Sequence, residues 1–294
     1  MLCKKELKRL LFGKDTVVFF VILLVVSLII FSDTSSTHSG FLAELNQPEF
    51  DLSHETLEGI VKGFSWHSYM LDYFYNDKLT LLLIIFLGCF GIKFSDYFVK
   101  HVMTGIGNQL RARITASTYV KQYMSIQALY ILIFNLVSFT IILFIIRLIG
   151  GAPEIGVERM TTYGIIDSFL GVPLDNTLMY IVYYYSNVLL FSSYLIFIVW
   201  IGSFVGYLSR SQVIAKLFPC ASYFIILIIA SSVGNVLKGV SHLFNFVIAD
   251  VYIGGLTHNY TVFSPYVIGQ IILIAISILI LYRVSIYKME YQYV

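Results

Sequence analysis

The chain has 294 residues, 58% hydrophobic and only 12% charged, with a mean hydropathy of +0.83, which is more apolar surface than one soluble core can hide. This composition points to an integral membrane protein and excludes a disordered chain, a collagen-like rod and, with three cysteines, a disulfide scaffold. The net charge of +2 conceals a strong asymmetry along the sequence.

The first element is basic. Residues 4–14 place Leu7, Leu10 and Leu11 on one helical face, ringed by Lys4, Lys5, Lys8 and Arg9, before a break at Gly13. That spacing favours a helix lying in the interface beside anionic lipid over a plain basic flank. The next apolar run is longer than a usual signal-peptide core, and SDTSSTHSG offers no small-residue cleavage site.

Six apolar segments are then long enough to cross a bilayer as helices: residues 16–31, 79–92, 126–146, 178–207, 217–237 and 262–282. None contains Asp, Glu, Lys, Arg or His. Continuous apolar runs satisfy their backbone in lipid only as helices, so the expected fold is all-α, one polytopic domain over residues 1–294. The second segment is short, and its helix is expected to continue into the polar sequence after it. The fourth is too long for an untilted span, and Pro219 and Pro265 fall near segment starts, where a missing N–H is harmless.

Alternate loops receive unequal charge. With the N-terminus cytoplasmic, the inner side collects 14 of the 19 Lys and Arg, and the outer loops hold 13 of the 17 acids. Both termini are therefore expected inside. The outer connections cover residues 32–78, 147–177 and 238–261. The last carries a broken apolar stretch near Asp250 and Gly254-Gly255, expected to be re-entrant or interfacial, and an Asn259-Tyr260-Thr261 glycosylation-type tripeptide.

The largest inner segment covers residues 93–123. Asp96 is expected to cap a first helix ending near Gly105 or Gly107, and a second is expected from Gln109 to Tyr123, its basic residues facing headgroups or a partner. A solvated basic loop is the alternative.

The chemistry is sparse. No Walker GxxxxGK[ST] sequence, CxxC pair or His-Cys cluster occurs, five of the six histidines fall in expected loops, and the spans lack the acids and histidines of an intramembrane protease. An ion-coupled carrier generally keeps an ionisable group in the membrane, and these spans hold only Asn135, Asn187, Gln270 and hydroxyls. Interhelical hydrogen bonding is the bland reading of these polar groups, and a substrate site the sharper one. The run Tyr180 to Asn187 has the same ambiguity: an aromatic belt, or a wall in which Tyr183, Tyr184, Asn187 and, from a neighbouring span, Asn135 face a substrate. If the chain does work, another polypeptide supplies the energy.

The stretch TGIGNQLRARITASTYVKQY between spans two and three carries a resemblance. With the basic N-terminal helix and six spans, it resembles the permease subunit of the second, exporter type of ABC transporter, notably Gram-positive permeases for export of, or immunity to, antimicrobial peptides. The family segment reads like Gly-Thr-Ile-Lys-Asn, then Ile-Ser-Arg and a Lys near the third span. Here Ile106, Asn108, Leu110, Ile114, Thr115 and Lys121 stand near those places. Asp96 replaces a Glu immediately before the Gly, Ala116 stands where Arg is usual, and the outer loops are longer.

The resemblance implies a dimer of permease subunits, identical or not, in a bacterial plasma membrane. It also implies a coupling segment (Asn108, Leu110, Arg111, Arg113, Ile114, Thr115 and Lys121) seated in a cytoplasmic ABC ATPase. ATP and magnesium would be bound by that partner; this chain would be no enzyme, with no cofactor or metal of its own and no nucleic-acid partner. The expected substrate is an amphipathic or hydrophobic peptide, drug or lipid-like molecule. The rival expectation is a non-transporting sensor or immunity protein binding an extracellular peptide through its outer loops.

Overall fold

A computed structural model describes residues 2–46, 57–58, 61–62, 64–103, 115–151 and 177–236, with short stretches between 160 and 173 and between 279 and 283. Helix α1 (Leu2–Leu11) packs Leu7, Leu10 and Leu11 on the main core and leaves Lys8 and Arg9 exposed, the two faces its spacing predicts. Gly13, in an extended conformation, turns the chain into α2 (Lys14–Leu45).

Helix α2 buries one stripe, Phe19, Leu23, Val26, Ile30 and Thr34, yet Val17, Val21, Val25 and Leu28 on its other faces are exposed. A helix apolar on every side with one stripe packed against protein is suited to lipid on the remainder. It runs well past residue 31, and along this Ser/Thr-rich end the hydroxyls of Thr34, Thr37 and Ser39 donate to carbonyls one turn back within the helix.

Two capped helices come next: α3 (Trp66–Tyr75), started by Ser65, and α4 (Asp77–Phe90), started by Asn76. Asn76 and Lys78 also reach Asp33, fixing the α3–α4 corner to α2. Residues 32–78, expected as an outer connection, contain a large share of helix. The end of α2 extends it as helix, and α3 buries Tyr69, Met70, Leu71, Tyr73 and Phe74 against α2, α6 and α7. The two histidines described there are packed as well: His38 stacks on Phe64 at 4.1 Å, and His67 lies 4.0 Å from both Trp66 and Tyr180.

Helix α4 passes without a break through a π-helical turn, Gly91–Ser95, into α5 (Asp96–Met103), so the second apolar run does continue into the polar sequence. Helix α6 (Ala116–Ile149) returns along the bundle. After it come two ladders of two residues per strand, Met160–Thr161 with Gly164–Ile165 and Ser168–Phe169 with Val172–Pro173. Helices α7 (Thr177–Ser209) and α8 (Gln212–Val236) form a tight hairpin. Arg210, at φ +51°, makes that turn, with Ser211 N–H donating to Gly206 O and Arg210 N–H to Tyr207 O.

Four helical runs among the described residues are long and apolar enough to cross a membrane: Lys14–Leu45, Leu81–Lys100, Thr118–Ile149 and Thr177–Ser209. The apolar stretch described in α8, Gln212–Ile225, is shorter. The predicted sixth span lies outside the described residues apart from Leu279 and Tyr282, as do the third outer loop and residues 104–114.

Small residues bring three helical segments into contact at their backbones. A Cβ on Gly206 would meet that of Ala215 at 2.4 Å, one on Gly202 would meet Pro219 Cγ at 2.6 Å, and one on Gly91 would meet Lys216 O at 2.8 Å. Pro219 is thus inside α8, not at its start, and its ring fills the hollow left by two glycines. Gly202 and Gly206, four residues apart, supply the small-xxx-small spacing that lets membrane helices approach closely. Replacing Gly206 with Val should lower the thermal midpoint in mild detergent by the equivalent of about 1–3 kcal/mol or more. Gly40→Ala, where nothing lies within 4 Å, should leave it unchanged or slightly raised.

Candidate functional site at the basic end of the bundle

Contacts from Thr16 to Tyr130, Phe94 to Tyr123 and Asp96 to Lys216 gather the starts of α2, α6 and α8 and the π turn at one end of the bundle. In the π turn Asp96 N–H donates to Gly91 O, five residues back. The inserted residue rotates the rest of the helix by about 100° relative to an uninterrupted α-helix, and such turns concentrate at functional sites. It carries Lys93 against the core, its side chain only 8% exposed.

The Lys93 ammonium donates to Tyr130 Oη at 3.1 Å and lies 4.4 Å from the Tyr130 ring centroid and 5.2 Å from that of Phe19. Asp15 Oδ2 is 3.6 Å away. Tyr130 Oη also shares a 2.7 Å hydrogen bond with Thr16, whose hydroxyl reaches back to Leu10 O at 2.8 Å. Magnitudes rank these partners. Asp15 is 66% exposed, and such a pair contributes about 0–1 kcal/mol. A desolvated cation over a ring contributes about 1–2 kcal/mol and a hydrogen bond to a charged group about 1.5–3 kcal/mol. The rings and the phenol therefore hold the amine more than the carboxylate does.

Around this group the other polar atoms of the turn are also engaged. Tyr123 donates to Phe94 O, Gln127 donates to Tyr123 Oη, and Ser95 Oγ donates to Val199 O at 3.0 Å. Asp96 pairs with Lys216 at 3.4 Å. It succeeds the π turn with helical φ and ψ, so it is not the extended N-cap that its sequence position suggests; its carboxylate reaches across to α8 instead. Beside it Phe98, Val99, Val120, Tyr207 and Ala215 form a second small core, with Tyr119, Tyr123 and Tyr282 packed on it.

The sequence-nominated residues separate into two groups. Thr115 is the N-cap of α6, its hydroxyl accepting from Thr118 N–H, and Lys121 is exposed on the first turns of that helix. Asn108, Leu110, Arg111, Arg113 and Ile114 lie outside the described residues, as does the first part of the helix expected from Gln109.

Tyr183, Tyr184, Asn187 and Asn135 are all fully buried, away from that end. Asn135 donates across to Ser192 at 2.9 Å and Tyr184 to Phe139 O at 2.8 Å, clamping α6 to α7. Asn187 donates within its own helix to Tyr183 O at 3.0 Å, leaving its carbonyl oxygen without a partner among the described residues. Phe74 of α3 lies over Tyr183 and Tyr184, so those rings line a packed interior, and their exposure to a substrate would require α3 to move.

No family model matches the chain, and comparisons with curated proteins and with solved structures find no match either.

Sequence reasoning missed Lys93, Asp15, Tyr130 and Thr16 as a unit. Lys93 and Asp96 lie just beyond the charge-free segment 79–92, within the helical run Leu81–Lys100 that continues it. The available signal was Phe90 and Phe94 flanking a lysine just beyond an apolar run too short to stop there.

A double-mutant cycle tests the arrangement. Lys93→Met should change stability by less than about 1 kcal/mol, since a buried charge and its desolvation disappear together. Tyr130→Phe should cost about 1–2 kcal/mol in the wild-type background and clearly less beside Lys93→Met. Equal costs in both backgrounds, read by thermal unfolding in detergent, would show that the amine does not use the phenol.

Proposed function

We propose that the chain is the membrane-spanning subunit of an ATP-driven ABC exporter in a bacterial plasma membrane, with the basic end facing the cytoplasm. Its expected cargo is an amphipathic or hydrophobic peptide, drug or lipid-like molecule. The observation that carries this reading is an aromatic contact between α5 and α6. Phe98 stacks on Tyr119 at 6.2 Å and lies tilted against Tyr123 at 4.7 Å, so the two helices flanking residues 104–114 touch through one small aromatic cluster.

That joint leads directly to the π turn, Lys93 and the close crossing with α7 and α8. A partner pressing on the basic segment between the helices would move a packed unit and so rock the bundle, which is what coupling to nucleotide-driven closure needs. The resemblance of the TGIGNQLRARITASTYVKQY segment and the excess of Lys and Arg on that side support the same assignment. ATP and its magnesium would belong to the partner, because this chain has no phosphate-cradling loop sequence. A second permease subunit would complete the passage.

The test co-expresses the chain with a Walker-motif ATPase, which this reading expects a neighbouring gene to encode. The chain alone should hydrolyse no ATP and should stimulate the co-expressed ATPase. Arg111→Glu with Arg113→Glu should leave insertion intact but weaken assembly roughly 100-fold or more, since reversing two charges at a docking surface costs several kcal/mol. If these arginines touch only headgroups, at about 1 kcal/mol each, co-purification and stimulated hydrolysis will stay at wild-type levels, and the coupling assignment fails.

A further inference from the structure

We infer that the corner between α1 and α2 is a binding site for one anionic phospholipid, an acyl chain lying in a cleft against α6 and the phosphate meeting the basic residues at its mouth. The cleft, of about 390 Å³, is walled by Leu11, Phe12, Val17 and Phe20 on one side and Phe134 and Val137 on the other. Its α6 wall runs from Ile133 to Ile141, about 12 Å along the helix, a linear slot suited to a hydrocarbon chain.

Charge selects the occupant. Lys8 and Lys14, exposed on either side of Gly13, flank in sequence the cleft-lining Leu11 and Phe12, and the adjoining sequence adds Lys4, Lys5 and Arg9. The acids in this stretch are Glu6 and Asp15, and Asp15 is already paired with Lys93. Phe12 is 82% exposed at this basic corner, an apolar ring where an acyl chain would enter. An anionic headgroup above an apolar slot satisfies both features, whereas a neutral lipid satisfies only one. Thr16 lines the cleft and bonds Tyr130, so the bound chain would lie against the group that holds Lys93. This site rests on the membrane reading of the helices and is independent of the transport reading.

The full chain, delipidated in neutral detergent, is titrated with phosphatidylglycerol or phosphatidylcholine of identical acyl chains, with thermal unfolding and native mass spectrometry as readouts. Phosphatidylglycerol should raise the midpoint by about 3 °C or more beyond phosphatidylcholine and add one retained lipid per chain. Val137→Trp, at a side chain 56% exposed, should fill the cleft and abolish both effects. Lys8→Gln with Lys14→Gln, which leaves the slot intact, should make the two lipids equivalent. Equal shifts by the two lipids on the wild type, or a full phosphatidylglycerol effect in either variant, would overturn the site. So would a lipid-free Val137→Trp protein that loses stability or changes oligomeric mass, because the slot would then be covered by the chain's own C-terminal segment or by a second copy.

Discussion

An ammonium group withdrawn from water must be repaid in kind by its surroundings, and the end of the bundle that holds Lys93 is arranged around that requirement. Phe19 from α2 and Tyr130 from α6 supply ring faces, the phenol supplies an acceptor, and Asp15 adds a carboxylate from the solvent side. Lys93 lies within the π turn, which sets the direction its side chain takes toward these groups. The π turn in turn needs Gly91, whose missing side chain admits the backbone of α8, and Ser95, which bonds the carbonyl of Val199.

The opposite end is built differently. There α3 closes the bundle with Trp66, Tyr69, Tyr73 and Phe74 packed on Phe31, Phe139 and the tyrosines at the start of α7. Between the ends, Asn135 and Ser192 provide a polar clamp in an otherwise apolar contact. Hydrophobic burial cannot hold helices together where lipid is as apolar as the protein, so small residues and polar contacts carry helix order. The Gly202, Gly206 and Pro219 crossing and the Tyr184 to Phe139 bond are of this kind.

Much of this architecture could be read in the residues, because an apolar run of span length has one solution in lipid. The α1 amphipathicity, the apolar parts of α2 and α6, α7 nearly end to end, and the extension beyond residue 92 all derive from length and spacing. The features that escaped reading depended on a local change of period or on tertiary contact. A π turn leaves no compositional mark, so Lys93 reads as a loop cation. Asp96 has the character of a cap, and only the continuing helix denies it that role. Residues 64–75 read as part of an outer connection because their burial is created by contact with three other helices. The tyrosines at 183 and 184 look the same in sequence whether they line a belt or a wall, and their cover by Phe74 of α3 is a tertiary contact that no local pattern announces.

Lys93 is held chiefly by ring faces and a phenol oxygen rather than by its ion pair. Exchanging the charges, Asp15→Lys with Lys93→Asp, tests it directly by thermal unfolding in detergent. A carboxylate between two electron-rich ring faces gains nothing from them, so the exchanged protein should unfold within about 0.5 kcal/mol of the Lys93→Asp single variant, well below wild type. Recovery of the wild-type midpoint by the exchange would show that the ion pair alone holds the site.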